Sequence, residues 1–178
     1  ETVDAERFTA ATGHQPLYWD NFPVNDVAMT HELHLGPYQG REASLAASSR
    51  GIIANAMPYP EASKIAFASI ARYVADPIGF DAEESWELAI DLVAGGDRDT
   101  VRDFADALRG SALCTDDSPR LGGRLEKFAF DYAFGDSAAA VEDLARVAEQ
   151  QLDVVARMRG ITNRALAREA APWVDQYK

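Results

Sequence analysis

Residues 16–26 read Pro16-Leu17-Tyr18-Trp19-Asp20-Asn21-Phe22-Pro23-Val24-Asn25-Asp26. A proline suits the first residue of a strand, and the short aromatic run behind it has the length of a buried one. Upstream, Val3 to Ala11 has a helix-like pattern that stops at Gly13, a usual C-terminal cap because glycine tolerates a positive φ. Helix, tight turn, strand and polar loop is the cadence of an α/β unit. One such unit cannot bury its own strand, since a parallel strand needs neighbours on both edges. No other convincing parallel-type strand follows.

Beyond Pro60 the sequence reads as helix after helix. Ala62, Ile65, Ala66, Ser69, Ile70 and Tyr73 recur at helical spacing and stop before Asp76-Pro77, where proline disfavours helix. Asp81 with Glu84 makes a capping-box-like start to a stripe of Trp86, Ala89, Ile90 and Val93, closed by Gly95-Gly96. Val101, Phe104, Ala105 and Leu108 mark the next helix, and Leu121, Leu125, Phe128 and Tyr132 another that ends at Gly135. Gly122-Gly123 reads as a turn. Asp136 caps the longest stripe, which runs Val141, Leu144, Ala145, Ala148, Leu152, Val155, Met158. A final segment carries Leu166, Ala170, Trp173, Val174 and Tyr177, with Pro172 forcing a kink or a restart. Amphipathic helices with short connectors pack as an antiparallel bundle. The predicted fold is therefore mainly α, with residues 1–58 and 59–178 as two differently textured regions.

Composition narrows the function classes. The chain has 178 residues, 17 Lys+Arg against 29 Asp+Glu and a net charge of −12. The excess of acid argues against nucleic acid and anionic lipid, which need a basic face. At 47% hydrophobic and 26% charged residues there is material for a packed core, so disorder is not expected. No apolar stretch approaches the roughly 18 residues of a membrane span. The single cysteine, Cys114, excludes an internal disulfide framework and a cysteine-built zinc site. His31 and His34 are three apart, weak metal spacing with no third ligand evident; no metal or cofactor is expected.

Chemistry concentrates in Tyr18–Asp26, where two carboxylates, two amides and an indole fall within nine positions. Strand ends and the loops after them are where barrel enzymes gather functional groups. Asn and Asp suit a sugar, whose hydroxyls both donate and accept, and Trp19 offers an apolar wall to a ring face or acetyl methyl. The same residues also make a plain polar turn in which Asn and Asp satisfy their own backbone.

Four blocks in order, YWDNFPVND at Tyr18–Asp26, LHLGPYQGR at Leu33–Arg41, GIIANAM at Gly51–Met57 and EASKIAF at Glu61–Phe67, closely resemble glycoside hydrolase family 84. Pro172-Trp173 is similar to that family's "PW" near the end of its helical domain. The family holds bacterial β-N-acetylglucosaminidases, enzymes known as hyaluronidases, and protein O-GlcNAcases. The resemblance implies a retaining hydrolase with a (β/α)8 barrel followed by a helical domain. It implies substrate-assisted catalysis, an exception to the two-carboxylate scheme: the acetamido oxygen attacks the anomeric carbon while adjacent aspartates polarise it and act as acid and base. It places Asn21, Asp26 and Asn55 on the sugar in the −1 subsite and Trp19 in the acetamido pocket. Asp20 and Asn25 receive no separate role.

The family's catalytic Asp pair belongs to an earlier strand, and nothing upstream of Pro16 supplies it. Asp116-Asp117 lies in the polar inter-helical loop around Cys114 and reads as structural. A full barrel takes roughly 250 residues, so residues 1–58 are expected to be the last βα part of one and 59–178 a helical bundle, possibly truncated. By itself this chain is not expected to hydrolyse anything. The implied partners are a GlcNAc-containing glycan or glycoprotein and the N-terminal remainder of the enzyme, and the charge leans towards neutral glycans over hyaluronan. The compartment is open, a secreted bacterial enzyme being the favoured setting. The rival reading is a non-catalytic helical protein-interaction module.

Overall fold

The computed structural model describes residues 1–110, 118 and 121–176. The readings of Cys114, Asp116-Asp117 and Tyr177 lie outside the described residues. Helix α1 (Thr2–Thr12) ends at Gly13, whose φ of 73° lies in the left-handed region that glycine enters without steric cost. Strand β1 (Leu17–Asp20) follows, then a long irregular stretch with one 3-10 turn at Val27–Met29, the short helix α2 (Leu45–Ser48) and strand β2 (Gly51–Ala54).

The second strand corrects the expectation of a lone one. β1 and β2 pair in parallel, with Leu17 opposite Gly51, Trp19 opposite Ile53 and Asp20 opposite Ala54. Two features hid β2: it is only four residues long, and its crossover from β1 is mostly irregular where a long helix would have signalled the unit. The pleat sends Tyr18, Asp20, Ile52 and Ala54 to a covered face, where Ile52 and Ala54 pack on a cluster of Tyr38, Ile70 and Tyr73. Leu17, Trp19 and Ile53 share the other face and stand exposed.

The helical part consists of α3 (Pro60–Ala75), α4 (Ala82–Ala94), α5 (Arg98–Ala107), α6 (Leu121–Phe134), α7 (Ser137–Met158) and α8 (Arg164–Val174). Local chemistry sets several starts. Pro60 opens α3, where a missing N–H costs nothing. The side chain of Asp81 accepts the Glu84 N–H at 2.7 Å, Asp136 those of Ala138 and Ala139 at 3.0 and 3.1 Å, and Asn163 that of Leu166 at 3.1 Å. α8 runs through Pro172 and stops two residues later, so the proline does not restart a helix.

The main core joins both regions of the chain. Leu33, Leu35 and Met57 lie in one cluster with Ile65, Trp86, Ile90, Phe104, Met158, Leu166 and Trp173. Trp86 is fully buried, donates Nε1–H to the Leu35 carbonyl at 2.6 Å, and carries the Arg109 guanidinium 4.7 Å above its ring. Trp173 donates to the His31 carbonyl at 2.8 Å. The Glu169 carboxylate of α8 accepts the N–H groups of Glu61 and Ala62 at 3.1 and 2.9 Å, capping α3 from a distance.

Two stripes differ from expectation. No residue of α6 is buried, and Gly122-Gly123 belong to its first turn. On α7 the buried residues are Ala140, Val147, Val154, Val155 and Met158, whereas Val141 and Leu152 are exposed. α6 packs on α7, and the α7 residues that join the main core, Val154, Val155 and Met158, all lie in its second half.

Candidate functional site

Pairing of β1 and β2 decides where the polar residues go. Asp20 and Ala54 are the last register partners, so Asn21 and Asn55 leave the sheet side by side. The Asn55 N–H donates to the Asp20 carbonyl and the Val24 N–H to the Asn55 carbonyl, both at 2.9 Å. Side chains complete the junction: Asn55 Nδ2 donates to Asn21 Oδ1 at 3.3 Å, and Trp19 Nε1 donates to the same oxygen at 2.9 Å. Those two bonds hold the Asn21 carboxamide by its oxygen and leave its NH2 side as a donor for another partner. Trp19 is 66% exposed, so its ring is a bare apolar wall beside the amides.

Asp26 lies farther along the same loop. It is exposed and occupies the cap position of the 3-10 turn, where its carbonyl accepts the Met29 N–H at 2.9 Å while its carboxylate makes no capping bond. Val27 behind it has φ of 52°, a left-handed conformation that a β-branched residue seldom adopts. The structure therefore joins Trp19, Asn21 and Asn55 directly. Among the described residues no hydrogen bond ties Asp26 to them.

On the covered face of the sheet ends lies a partly buried charge cluster that no motif in the sequence announces. The Asp20 carboxylate is 7% exposed. Arg41 reaches it with Nη2 at 2.8 and 2.9 Å and Nε at 3.0 Å, and Tyr38 donates its phenol at 2.7 Å. Burial, then the bond to Asp20, pushes the Tyr38 phenol well above its ordinary value. Burial pulls Arg41 downward, but the bond and charge of Asp20 outweigh it and leave the guanidinium raised. Both partners fall in the LHLGPYQGR block, yet no spacing rule couples position 20 to positions 38 and 41.

The outer side of the loop rests on His34. Its Nδ1 is 3.0 Å from the Pro23 carbonyl and its Nε2 is 2.9 Å from Glu32 Oε2. A carbonyl only accepts, so Nδ1 is the donor in the bond to Pro23. Both ring nitrogens are thus engaged by protein, while His31 is exposed. Among the described residues no group of three His, Cys, Asp or Glu could hold a metal ion. Asn25 is buried, donates to the Glu32 carbonyl at 2.7 Å, and keeps its Oδ1 unpaired among the described residues.

Known structures share this fold. The O-GlcNAc hydrolase of Thermobaculum terrenum, in a mutant form, is 27% identical, with a TM-score of 0.88 over 99% of this chain and 38% of that one. The structures of CpGH84B and CpGH84D, each 24% identical, share the fold at TM-scores of 0.86 and 0.85 over 99% of this chain. This chain covers 31% and 30% of their lengths. The sequence model of the β-N-acetylglucosaminidase family matches residues 1–106. With more than half of its 178 residues matched, the chain belongs to that family, glycoside hydrolase family 84.

Proposed function

We propose that this chain is part of a retaining β-N-acetylglucosaminidase that removes terminal β-linked GlcNAc by substrate-assisted catalysis. Residues 1–58 form the last βα part of its barrel and residues 59–178 its helical bundle. Trp19, Asn21, Asp26 and Asn55 serve the sugar site. The Asp pair that the reaction needs comes from barrel strands outside this chain, so the chain alone is inactive. The substrate is a GlcNAc-containing glycan or glycoprotein, and the rest of the barrel is the physical partner.

One observation carries the reading: the amides of Asn21 and Asn55 meet at the carboxyl ends of adjacent parallel strands, with the bare Trp19 indole bonded to the same oxygen. Catalytic groups in such barrels gather at those ends. The exposed apolar face of Leu17, Trp19 and Ile53 supports it, because parallel sheets are covered on both faces. An amide and a carboxylate pair well with adjacent sugar hydroxyls, and Asp26 is free of capping duty.

The test is kinetic, on the protein carrying the complete barrel and an aryl β-N-acetylglucosaminide. Asp26→Ala and Asn55→Ala are each expected to lower kcat/KM by about 100-fold or more, since hydroxyls lose partners in a water-poor pocket. Unchanged kcat/KM in both variants refutes the assignment.

A further inference from the structure

We infer that Asp20 is a positioning residue: with Arg41 and Tyr38 it clamps the two strand ends from which Asn21 and Asn55 reach the sugar. This rests on the sugar-site reading above. Asp20 is buried on the face of the sheet opposite Trp19, so it cannot meet a ligand lying on the Trp19 side. Its influence runs through the chain. Its own carbonyl accepts the Asn55 N–H at 2.9 Å, and its peptide bond leads into Asn21.

The clamp is anchored to the helices. The Tyr38 N–H donates to Ser69 Oγ of α3 at 3.2 Å, and the Tyr38 ring packs 5.4 Å from that of Tyr73 on the same helix. The Arg41 guanidinium sits 5.5 Å over the Tyr38 ring while its fork holds both oxygens of Asp20. A planar fork on a carboxylate fixes direction as well as distance. A buried ion pair is weak evidence for stability, because desolvation offsets its attraction. Its effect here is to fix where β1 ends relative to α3. The Asn21–Asn55 bond is 3.3 Å long, near the limit for a hydrogen bond, so a small slip of either strand end separates the amides.

The experiment is a double-mutant cycle on the protein with the complete barrel, read as kcat/KM for an aryl β-N-acetylglucosaminide. Asp20→Asn alone is expected to lower kcat/KM by about 10- to 100-fold, the scale of a misplaced contact. On an Asn21→Ala/Asn55→Ala background the same change is expected to cost no more than about twofold, because contacts already removed cannot be lost again. A residue that merely supports the fold would cost the same on both backgrounds. Independent, multiplicative losses overturn the inference, as does wild-type kcat/KM in Asp20→Asn. Should Asp20→Asn fail to fold, Arg41→Lys keeps the charge and gives up the fork, and the same cycle applies with the same two outcomes. Loss of activity in Asn21→Ala and Asn55→Ala with none in Asp20→Asn and Arg41→Lys rejects the clamp and keeps the sugar site. Full activity in all four rejects both.

Discussion

Trp19 does two things that a substitution can separate. Its indole N–H holds Asn21 Oδ1 at 2.9 Å, and its exposed ring forms a wall. Trp19→Phe keeps the wall and loses the bond, so in the complete enzyme kcat/KM is expected to fall about fivefold, the worth of one hydrogen bond near 1 kcal/mol. A variant with full kcat/KM shows that the indole N–H plays no part. Trp86 is the opposite case, fully buried with its N–H on the Leu35 carbonyl. Trp86→Ala is expected to cost about 3–5 kcal/mol in chemical denaturation, and a loss under about 1 kcal/mol contradicts the core described here. Residue type and family pattern both single out Trp19, Asn21 and Asn55, and the structure bonds the three side chains together. The role of Asp20 was not legible, because its meaning is set by Arg41 and Tyr38, and contacts across some twenty residues of irregular chain leave no periodic trace.

Caps and charge pairs set the elements. Asp136 accepts two N–H groups at the start of α7, so Asp136→Ala is expected to cost about 1 kcal/mol, measured by urea denaturation. Between α4 and α5, Glu87 binds Arg102 and Arg98, each at 2.6 Å. The bond from Arg102 comes first among the causes that hold its carboxyl below the ordinary 4.5. A depressed carboxyl contributes its stability in full above the ordinary value and loses it as pH falls below. Unfolding followed from pH 7 downward is thus expected to show a loss beginning near 4.5 that is smaller in Glu87→Gln; identical profiles contradict the pairing. The stripes of α3 and α4 were readable because each buries one full face. That of α7 was readable only at its end, where Val155 and Met158 are buried; earlier the buried set follows Val147 and Val154 in place of Val141 and Leu152. β2 escaped because four residues cannot show a period.

At the scale of the molecule, the strand-bearing region and the helices share one core: Leu33, Leu35 and Met57 pack among α3, α4, α7 and α8. Site loop and helices are therefore expected to unfold together. The helix succession was legible from composition and spacing; the sharing of the core was not, since Leu33 and Leu35 sit in an irregular stretch with no periodicity. The central claim is that Asn21, Asp26 and Asn55 grip one pyranose beside Trp19. A crystal structure of the protein with its complete barrel, bound to a GlcNAc-oxazoline mimic, tests it directly. The expected result is sugar hydroxyls within about 3 Å of Asp26 and the two amides, with the acetamido methyl against the indole. A mimic bound elsewhere, or one that leaves Asp26 and Asn55 in water, contradicts the claim.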